Sequence, residues 1–355
     1  MDIDQPEKFT NLDKNKVLES VQAFGDQCAA AWAASSALSF PDEFKNVKNV
    51  VVCGMGGSRF TPRTIKEMLK EEIKVPYEIC EDYSLPGYVN QDSLVILSSY
   101  SGTTEEIISA GKQALAKRAK ITGISEGGDV QKMVEEVGST GYFFTPDLNP
   151  SGQPRIGSGY MLLGHLGLIY SLGLADIKPE EVDKAILKIV DDSARYKPEL
   201  TTENNEAKKL AKILSNAHNF IITAEFLKGF GNGFANQINE TAKNISDPRF
   251  ISELNHHLLE GLKYPDTLKQ TGQFVFIKSS LYSSPIQKRF AITKEVVEKN
   301  GLKTYDITLT GETKIDQVLE AFTLSGFTTY YMAMLQDLDP VAIPWVDYFK
   351  AQLKK

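Results

Sequence analysis

Asp92–Ala119 contains Leu94-Val95-Ile96-Leu97, then Ser98-Ser99-Tyr100-Ser101-Gly102-Thr103-Thr104-Glu105-Glu106, and its reading decides the fold. The first four residues are an apolar run of β-formers bounded by a turn, as expected of a buried strand. Beyond Thr104, apolar Ile107, Ile108, Ala110, Ala114 and Leu115 recur at helical spacings. Glu105 and Glu106 fall in the first turn and Lys117, Arg118 and Lys120 near the last, an order that suits the helix dipole. The stretch therefore reads as strand, hydroxyl-rich turn, helix. A helix N-terminus offers unpaired N–H groups to an anion such as phosphate. Ser99, Ser101, Thr103 and Thr104 add neutral donors around one glycine. A plain Ser/Thr N-cap on a βα turn is the competing reading of this segment alone.

Lys48–Phe60 repeats the arrangement. Val50-Val51-Val52-Cys53 reads as a buried strand, and Gly54-Met55-Gly56-Gly57-Ser58 follows it. Glycines there let backbone approach a ligand closely. Arg59 stands at the third glycine position of a dinucleotide fingerprint, and no Gly-Lys-Ser/Thr follows for a phosphate-binding P-loop. A tight turn into a packed helix is the bland alternative. Two phosphate-suited strand ends in neighbouring βαβ units favour a phosphorylated small ligand.

The remaining chain fits this frame. Its 355 residues suffice for about two domains. With 42% hydrophobic and 24% charged residues it has the composition of a globular protein. The net charge of −7 gives no general support to a nucleic-acid partner. Cys28, Cys53 and Cys80 lack CxxC spacing and are odd in number, against a disulfide framework or zinc site. The start Met1-Asp2-Ile3-Asp4 has no apolar signal core, and no run reaches membrane-span length, so a cytoplasmic protein with no membrane partner is expected.

Asn11–Ser39 reads as one helix that Pro41 ends, inside an N-terminal helical segment, residues 1–48. A first α/β domain is expected over residues 49–175, with further strands near Ile79, Lys120–Ile124 and Gly141–Thr145. Pro146–Gly159 is a Pro/Gly loop carrying Arg155, which is either an oxyanion clamp or a solvated surface residue. Met161–Leu172 is apolar almost all round, which predicts a buried helix with His165 as a core histidine. Residues 176–205 form a helical connector, and residues 206–355 a second domain ending in a helix.

That second half echoes the first. Asn219–Thr223 matches Val50–Cys53, with Gly229-Phe230-Gly231-Asn232-Gly233 following. Phe274–Ile277 with Ser279-Ser280 matches Leu94–Leu97 with Ser98-Ser99, Pro285–Lys299 matches Thr104–Ala119, and Thr304–Ile307 matches Ile121–Ile124. The repeat is weak and roughly 170 residues apart. Alternating βα units predict parallel sheets with helices on both faces, whose ligands sit beyond the strand C-termini.

Gly54–Ser58, Ser99–Glu106, Pro154-Arg155, Asn239-Glu240 and Glu253-Leu254-Asn255-His256 occur in this order. As an ordered set, spanning about Val50 to Lys350, they make the chain resemble the bifunctional phosphoglucose/phosphomannose isomerase family, built from two sugar-isomerase (SIS) domains. The resemblance implies an α/β fold of two SIS-type domains, each a parallel sheet flanked by helices on both faces. It implies an aldose–ketose isomerase interconverting glucose 6-phosphate and fructose 6-phosphate, with mannose 6-phosphate as a further substrate, through a cis-enediol(ate). It implies that Gly57, Ser58, Ser99, Ser101 and Thr104 hold the phosphate. Arg155 would stabilise the enediolate, Glu240 would move the proton between C2 and C1, and His256 would open the ring with Lys350 assisting. It further implies a homodimer whose active site is shared between subunits, with no cofactor and no metal.

Each residue also has an ordinary reading. Glu240 can be a solvated helix carboxylate, His256 beside His257 a structural pair, and Lys350 C-terminal surface charge. Adjacent histidines on a helix point to different sides, against a metal site. The chain departs from the family pattern in several places. Thr103 stands where Asn is usual, Ser252 precedes Glu253 in place of Pro, and His257 follows the histidine in place of Asn. Arg59-Phe60-Thr61-Pro62-Arg63 follows Ser58 where small residues are common; Arg59 can add charge at the phosphate or obstruct it. Ile343 occupies a place where mannose-accepting members carry Thr, which puts mannose 6-phosphate in question. A non-catalytic phosphosugar-binding SIS protein is the alternative function, needing the phosphate loop but not the base or ring-opener. No DNA-binding helix pair accompanies the SIS pattern to favour a regulator, and no N-terminal glutaminase segment with a terminal Cys is present to favour an aminotransferring enzyme.

Overall fold

The computed structural model describes residues 1–353 and 355. Among these residues nine strands form two sheets in which every pairing is parallel. The first sheet comprises β1 (Asn49–Gly54), β2 (Tyr77–Cys80), β3 (Ser93–Ser98), β4 (Lys120–Ser125) and β5 (Tyr142–Phe143), in the order β2-β1-β3-β4-β5. The second comprises β6 (His218–Ala224), β7 (Ser246–Ile251), β8 (Gly272–Lys278) and β9 (Lys303–Thr308), in the order β7-β6-β8-β9. The first four strands of one sheet thus follow the same order as the four of the other, which accounts for the sequence echo. In each, the strand order reverses beside the first strand, so the crevice falls between β1 and β3 and between β6 and β8.

The continuous apolar runs are explained by burial on both faces. In β1, Val50 and Val52 join the core shared with the helix Ser158–Ser171, while Val51 and Cys53 join a second cluster with Ile107, Ala110 and Ala114 of the helix Glu105–Ala116. Alternate side chains of one strand therefore feed opposite cores. Among the described residues no helix is long and apolar enough to cross a membrane.

Two local expectations change. Asn11–Ser39 is not one helix but Val17–Gln22 and Phe24–Ser36, separated at Ala23 (φ −80°, ψ 4°). The first begins late because both Asp13 carboxylate oxygens accept backbone N–H bonds, from Val17 at 2.7 Å and Leu18 at 2.9 Å. The glycines Gly229, Gly231 and Gly233, expected to echo the turn after β1, lie inside the helix Lys228–Thr241. Their use is close packing. This helix runs antiparallel against Gly57–Met68, with Gly229 over Thr64 and Gly233 against Phe60. Phe322 stacks on Phe60 (centroids 5.9 Å apart) and meets Phe230 edge-on at 5.1 Å, tying the pair to the long helix Lys314–Leu335.

A Cβ on Gly229 would overlap the Thr64 backbone. Alanine normally stabilises a helix interior by about 1 kcal/mol over glycine. Here overlap with main-chain atoms outweighs that gain, and Gly229→Ala is expected to lower the unfolding free energy by about 1–3 kcal/mol. Denaturant titration checks this; an unchanged or raised midpoint would contradict the close packing.

Candidate functional site

The turn after β3 is fixed before any ligand arrives. Gly102 has φ +68°, and a Cβ there would overlap the Gly127 carbonyl, so only glycine fits. The Gly102 amide donates to Ser99 O (3.1 Å). The four hydroxyls are paired: Ser99 Oγ with Thr104 Oγ1 at 2.8 Å and Ser101 Oγ with Thr103 Oγ1 at 3.1 Å. A hydroxyl carries one proton, so each pair spends one internally and keeps one to donate. Thr104 is the N-cap of Glu105–Ala116 but makes no side-chain cap bond, which leaves that helix N-terminus open.

The turn after β1 meets it. Ser58 Oγ accepts from the Tyr100 amide at 2.8 Å, so its own proton is free to donate elsewhere. Ser98 Oγ donates to Ser58 O (2.7 Å), and the ring Nε2 of His165 lies 2.9 Å from the same hydroxyl. His165 is a core histidine as expected, fully buried, with Nδ1 lacking a hydrogen-bond partner among the described residues. Its ring backs the join between the two turns. The helix Gly57–Met68 also begins without a side-chain cap. Arg59, next to Ser58, is engaged by other groups: it pairs with Glu81 and donates to Asn232 Oδ1 at 2.7 Å.

Gly57 abuts the Pro154–Arg155 backbone; a Cβ on it would lie 3.7 Å from Arg155 N. Arg155 is 2% exposed, so it is not a solvated surface residue. Its Nε donates to Thr241 Oγ1 (3.0 Å), NH1 to Gln153 Oε1 (2.9 Å), and NH2 to the carbonyls of Pro340 (2.7 Å) and Val341 (3.1 Å). NH1 also lies 3.5 Å from a carboxylate oxygen of Glu240. Gln237, one turn before Glu240, donates from Nε2 to Arg155 O at 3.2 Å. Residues 237, 240 and 241 share one helix face, and that face carries this helix's contacts with the arginine.

Glu240 keeps 35% of its side chain exposed. Burial of its flanks pushes the carboxyl above the usual range, while Arg155, then Lys350, then Lys243 pull it back. Lys350, on the exposed helix Pro344–Leu353, is thus within electrostatic reach of Glu240. Ile343 is half-buried two residues beyond Val341. His256 has no such link. It closes a short helical turn after the edge strand β7, is exposed, and among the described residues forms no hydrogen bond or ion pair with Arg155, Glu240 or Lys350. Contacts thus run from the turn of Ser99, Ser101 and Thr104 through Tyr100 to Ser58, from Gly57 to Arg155 and from Arg155 to Glu240, with Lys350 in electrostatic reach of Glu240 and Ile343 two residues beyond the Val341 carbonyl that Arg155 holds; His256 has no hydrogen bond or ion pair to this set among the described residues. The sequence gives no sign of Gln153, Gln237, Thr241, Lys243 or the Pro340 and Val341 carbonyls. Only Thr241 and Gln153 adjoin residues it singles out, and the others reach the site through tertiary folding.

The chain is similar to known proteins over most of its length. A family model described as the bacterial phospho-glucose isomerase C-terminal SIS domain matches residues 203–353. A bifunctional phosphoglucose/phosphomannose isomerase of Caldicellulosiruptor bescii is 30% identical, over 95% of this chain and 98% of its own length. Another of that name from Thermoplasma volcanium is 28% identical over 88% and 95%. Among solved structures, a hypothetical protein of Thermus thermophilus has the same fold (TM-score 0.73, 14% identity, 94% of this chain and 90% of the other). So has the C-terminal domain of a glucosamine-fructose-6-phosphate aminotransferase of Francisella tularensis (TM-score 0.65, 15% identity, 91% and 96%).

Burial pulls the His165 pKa down from 6.5 to about 3. Between these values the unfolded chain holds the proton and the folded one does not, so stability falls as pH falls, by up to about 1.4 kcal/mol per pH unit. His165→Asn is expected to flatten the slope of stability between pH 6.5 and about 3. Unfolding midpoints measured against pH check this; an unchanged slope would contradict it.

Proposed function

Because the chain belongs to the bifunctional phosphoglucose/phosphomannose isomerase family, we propose that it interconverts glucose 6-phosphate and fructose 6-phosphate by moving a proton between C2 and C1. The observation that carries this reading is the buried Arg155 guanidinium 3.5 Å from a Glu240 carboxylate whose pKa is raised. A base with an elevated pKa suits proton abstraction near neutral pH, and a fixed cation suits the oxygen that turns anionic in the enediolate. The free hydroxyl protons of Ser58 and of the Ser99–Thr104 and Ser101–Thr103 pairs, with the amide of Gly57 and the open helix ends, bind the phosphate and set C1 and C2 over Glu240. Lys350 adds a second cation to the surroundings of that carboxylate. The same reading divides the chain into a helical segment (1–48), a phosphate-binding SIS domain (49–175), a connector (176–205) and a second SIS domain (206–355), supported by one parallel sheet in each half.

Ring opening falls to His256 in this reading. Since it is exposed and has no hydrogen bond or ion pair to Glu240 in its own subunit, we propose that it enters the site of a second copy. Support comes from the C-terminal helix, which buries nothing and leaves Trp345 82%, Phe349 61% and Leu353 61% exposed, apolar surface that a homodimer would cover. Ile343 supplies no hydroxyl or water site near C2, so mannose 6-phosphate is the poorer substrate.

Glu240→Gln is expected to reduce kcat in a coupled assay by about 10²–10⁴-fold; full activity would sink the base assignment. Binding of fructose 6-phosphate by the unaltered protein without turnover would favour a phosphosugar-binding protein. Mixing inactive Glu240→Gln and His256→Ala subunits is expected to restore about a quarter of full activity by random reassortment of dimers. No recovery after verified exchange would place His256 in its own subunit's site or outside catalysis. Ile343→Thr is expected to raise kcat/KM for mannose relative to glucose 6-phosphate about tenfold, ~1.4 kcal/mol; an unchanged ratio removes Ile343 as the selector.

A further inference from the structure

The helix Pro344–Leu353 buries none of its residues. Packing within its own subunit therefore does not place Lys350; within that subunit the connection does. That connection is the strap Asp339–Val341. Its turn is closed by the Val341 amide donating to Asp339 Oδ1 at 2.8 Å. Three successive carbonyls of the strap accept from two cations. Arg155 takes Pro340 O and Val341 O, and Lys243 Nζ takes Asp339 O at 2.7 Å.

Lys243 is three residues past Glu240, just beyond the helix end, with φ 51°. A left-handed conformation in a residue with a Cβ costs of order 1–3 kcal/mol, and surrounding contacts must hold it. The Asn244 amide, donating to Ile238 O at 3.4 Å, closes the helix end over it, and the Lys243 ammonium bonds the strap and Thr241 O at 3.1 Å. Thr241 is also the residue whose hydroxyl accepts from Arg155 Nε. The two cations thus grip one helix end and one strap between them. Half-burial and Arg155 lower the Lys243 pKa to about 8, against the pull of Asp339 and Glu240.

We propose that Lys243 is a positioning residue for the isomerisation: with Arg155 it fixes the strap that carries Ile343 and Lys350 to the site, and it places a cation at the end of the helix that bears Glu240. The inference rests on the reading of Glu240 as the base. The charged groups facing Glu240 are Arg155 from the loop before Ser158, Lys350 from the last helix and Lys243 at the end of its own; those facing Lys243 are Arg155, Asp339 and Glu240. The phosphate grip is built from other residues, so its contribution to KM is separate.

The test is steady-state kinetics against pH for Lys243→Met and Lys243→Arg, beside Glu240→Gln. In Lys243→Met, kcat is expected to fall about tenfold or more with KM for fructose 6-phosphate nearly unchanged. Removing a cation raises the Glu240 pKa, so the acid limb of kcat/KM should move to higher pH by about half a unit or more. Lys243→Arg should return the limb most of the way. If Lys243→Met fails to fold by circular dichroism, Lys243→Gln, which keeps a donor without the charge, is read in its place. Wild-type kcat and an unmoved limb beside an inactive Glu240→Gln would overturn the role of Lys243 and leave the base standing. An active Glu240→Gln would overturn both.

Discussion

The site depends on how closely two helices approach. Gly57–Met68, which begins at the turn after β1, lies antiparallel against Lys228–Thr241, and Gly229 over Thr64 sets the separation. Followed along the pair from Gly229, the contacts pass Gly233 and Phe60 and then arrive where Gly57 abuts Arg155 and Gln237 holds the Arg155 carbonyl. Glu240 is the next turn of the same helix. A side chain at Gly229 would part the helices and carry the carboxylate away from the hydroxyl turns of the first sheet. Neither half of the duplication contains the whole constellation. The first sheet supplies anion donors and the arginine; the second supplies the carboxylate and the strap.

Preorganisation is the electrostatic theme. Each of the three Arg155 side-chain nitrogens donates to at least one fixed oxygen, so the cation cannot swing to follow substrate. Its contact with Glu240 is long, at 3.5 Å, which leaves that carboxylate only partly compensated for burial. A close bidentate pair would have pushed the carboxyl pKa down and made it a poor base. The hydroxyl turns follow the same logic. Their internal bonds hold the oxygens in place and leave a proton on each pair for an incoming anion. The corresponding end of the second sheet is closed differently: the Glu225 carboxylate accepts from the Ser283 amide and hydroxyl, so an internal anion already occupies that helix start.

The sheets are legible in the sequence because strands buried on both faces must be apolar throughout, and Val50–Cys53, Leu94–Leu97, Asn219–Thr223 and Phe274–Ile277 are nearly so. The repeat follows from their common spacing. The hydroxyl turn, Arg155, Glu240 and Lys350 are legible only as members of an ordered set, since each alone has an ordinary reading. What the sequence hides is tertiary. The late helix start at Val17 arises from the Asp13 carboxylate, which accepts the Val17 and Leu18 amides. The glycines after β6 look like a loop because local propensity disfavours them in helices, yet helix packing is what they serve. Lys243 has no motif; its meaning comes from Asp339, 96 residues away.

Exchange of the C2 hydrogen of glucose 6-phosphate in deuterium oxide, followed by proton NMR, tests the central claim directly. If Glu240 moves the proton, the unaltered protein should wash the C2 signal out during interconversion, and Glu240→Gln should still bind fructose 6-phosphate while exchange stops. Exchange that persists in that variant would contradict the account, as would interconversion by a route that leaves C2 untouched by the carboxylate.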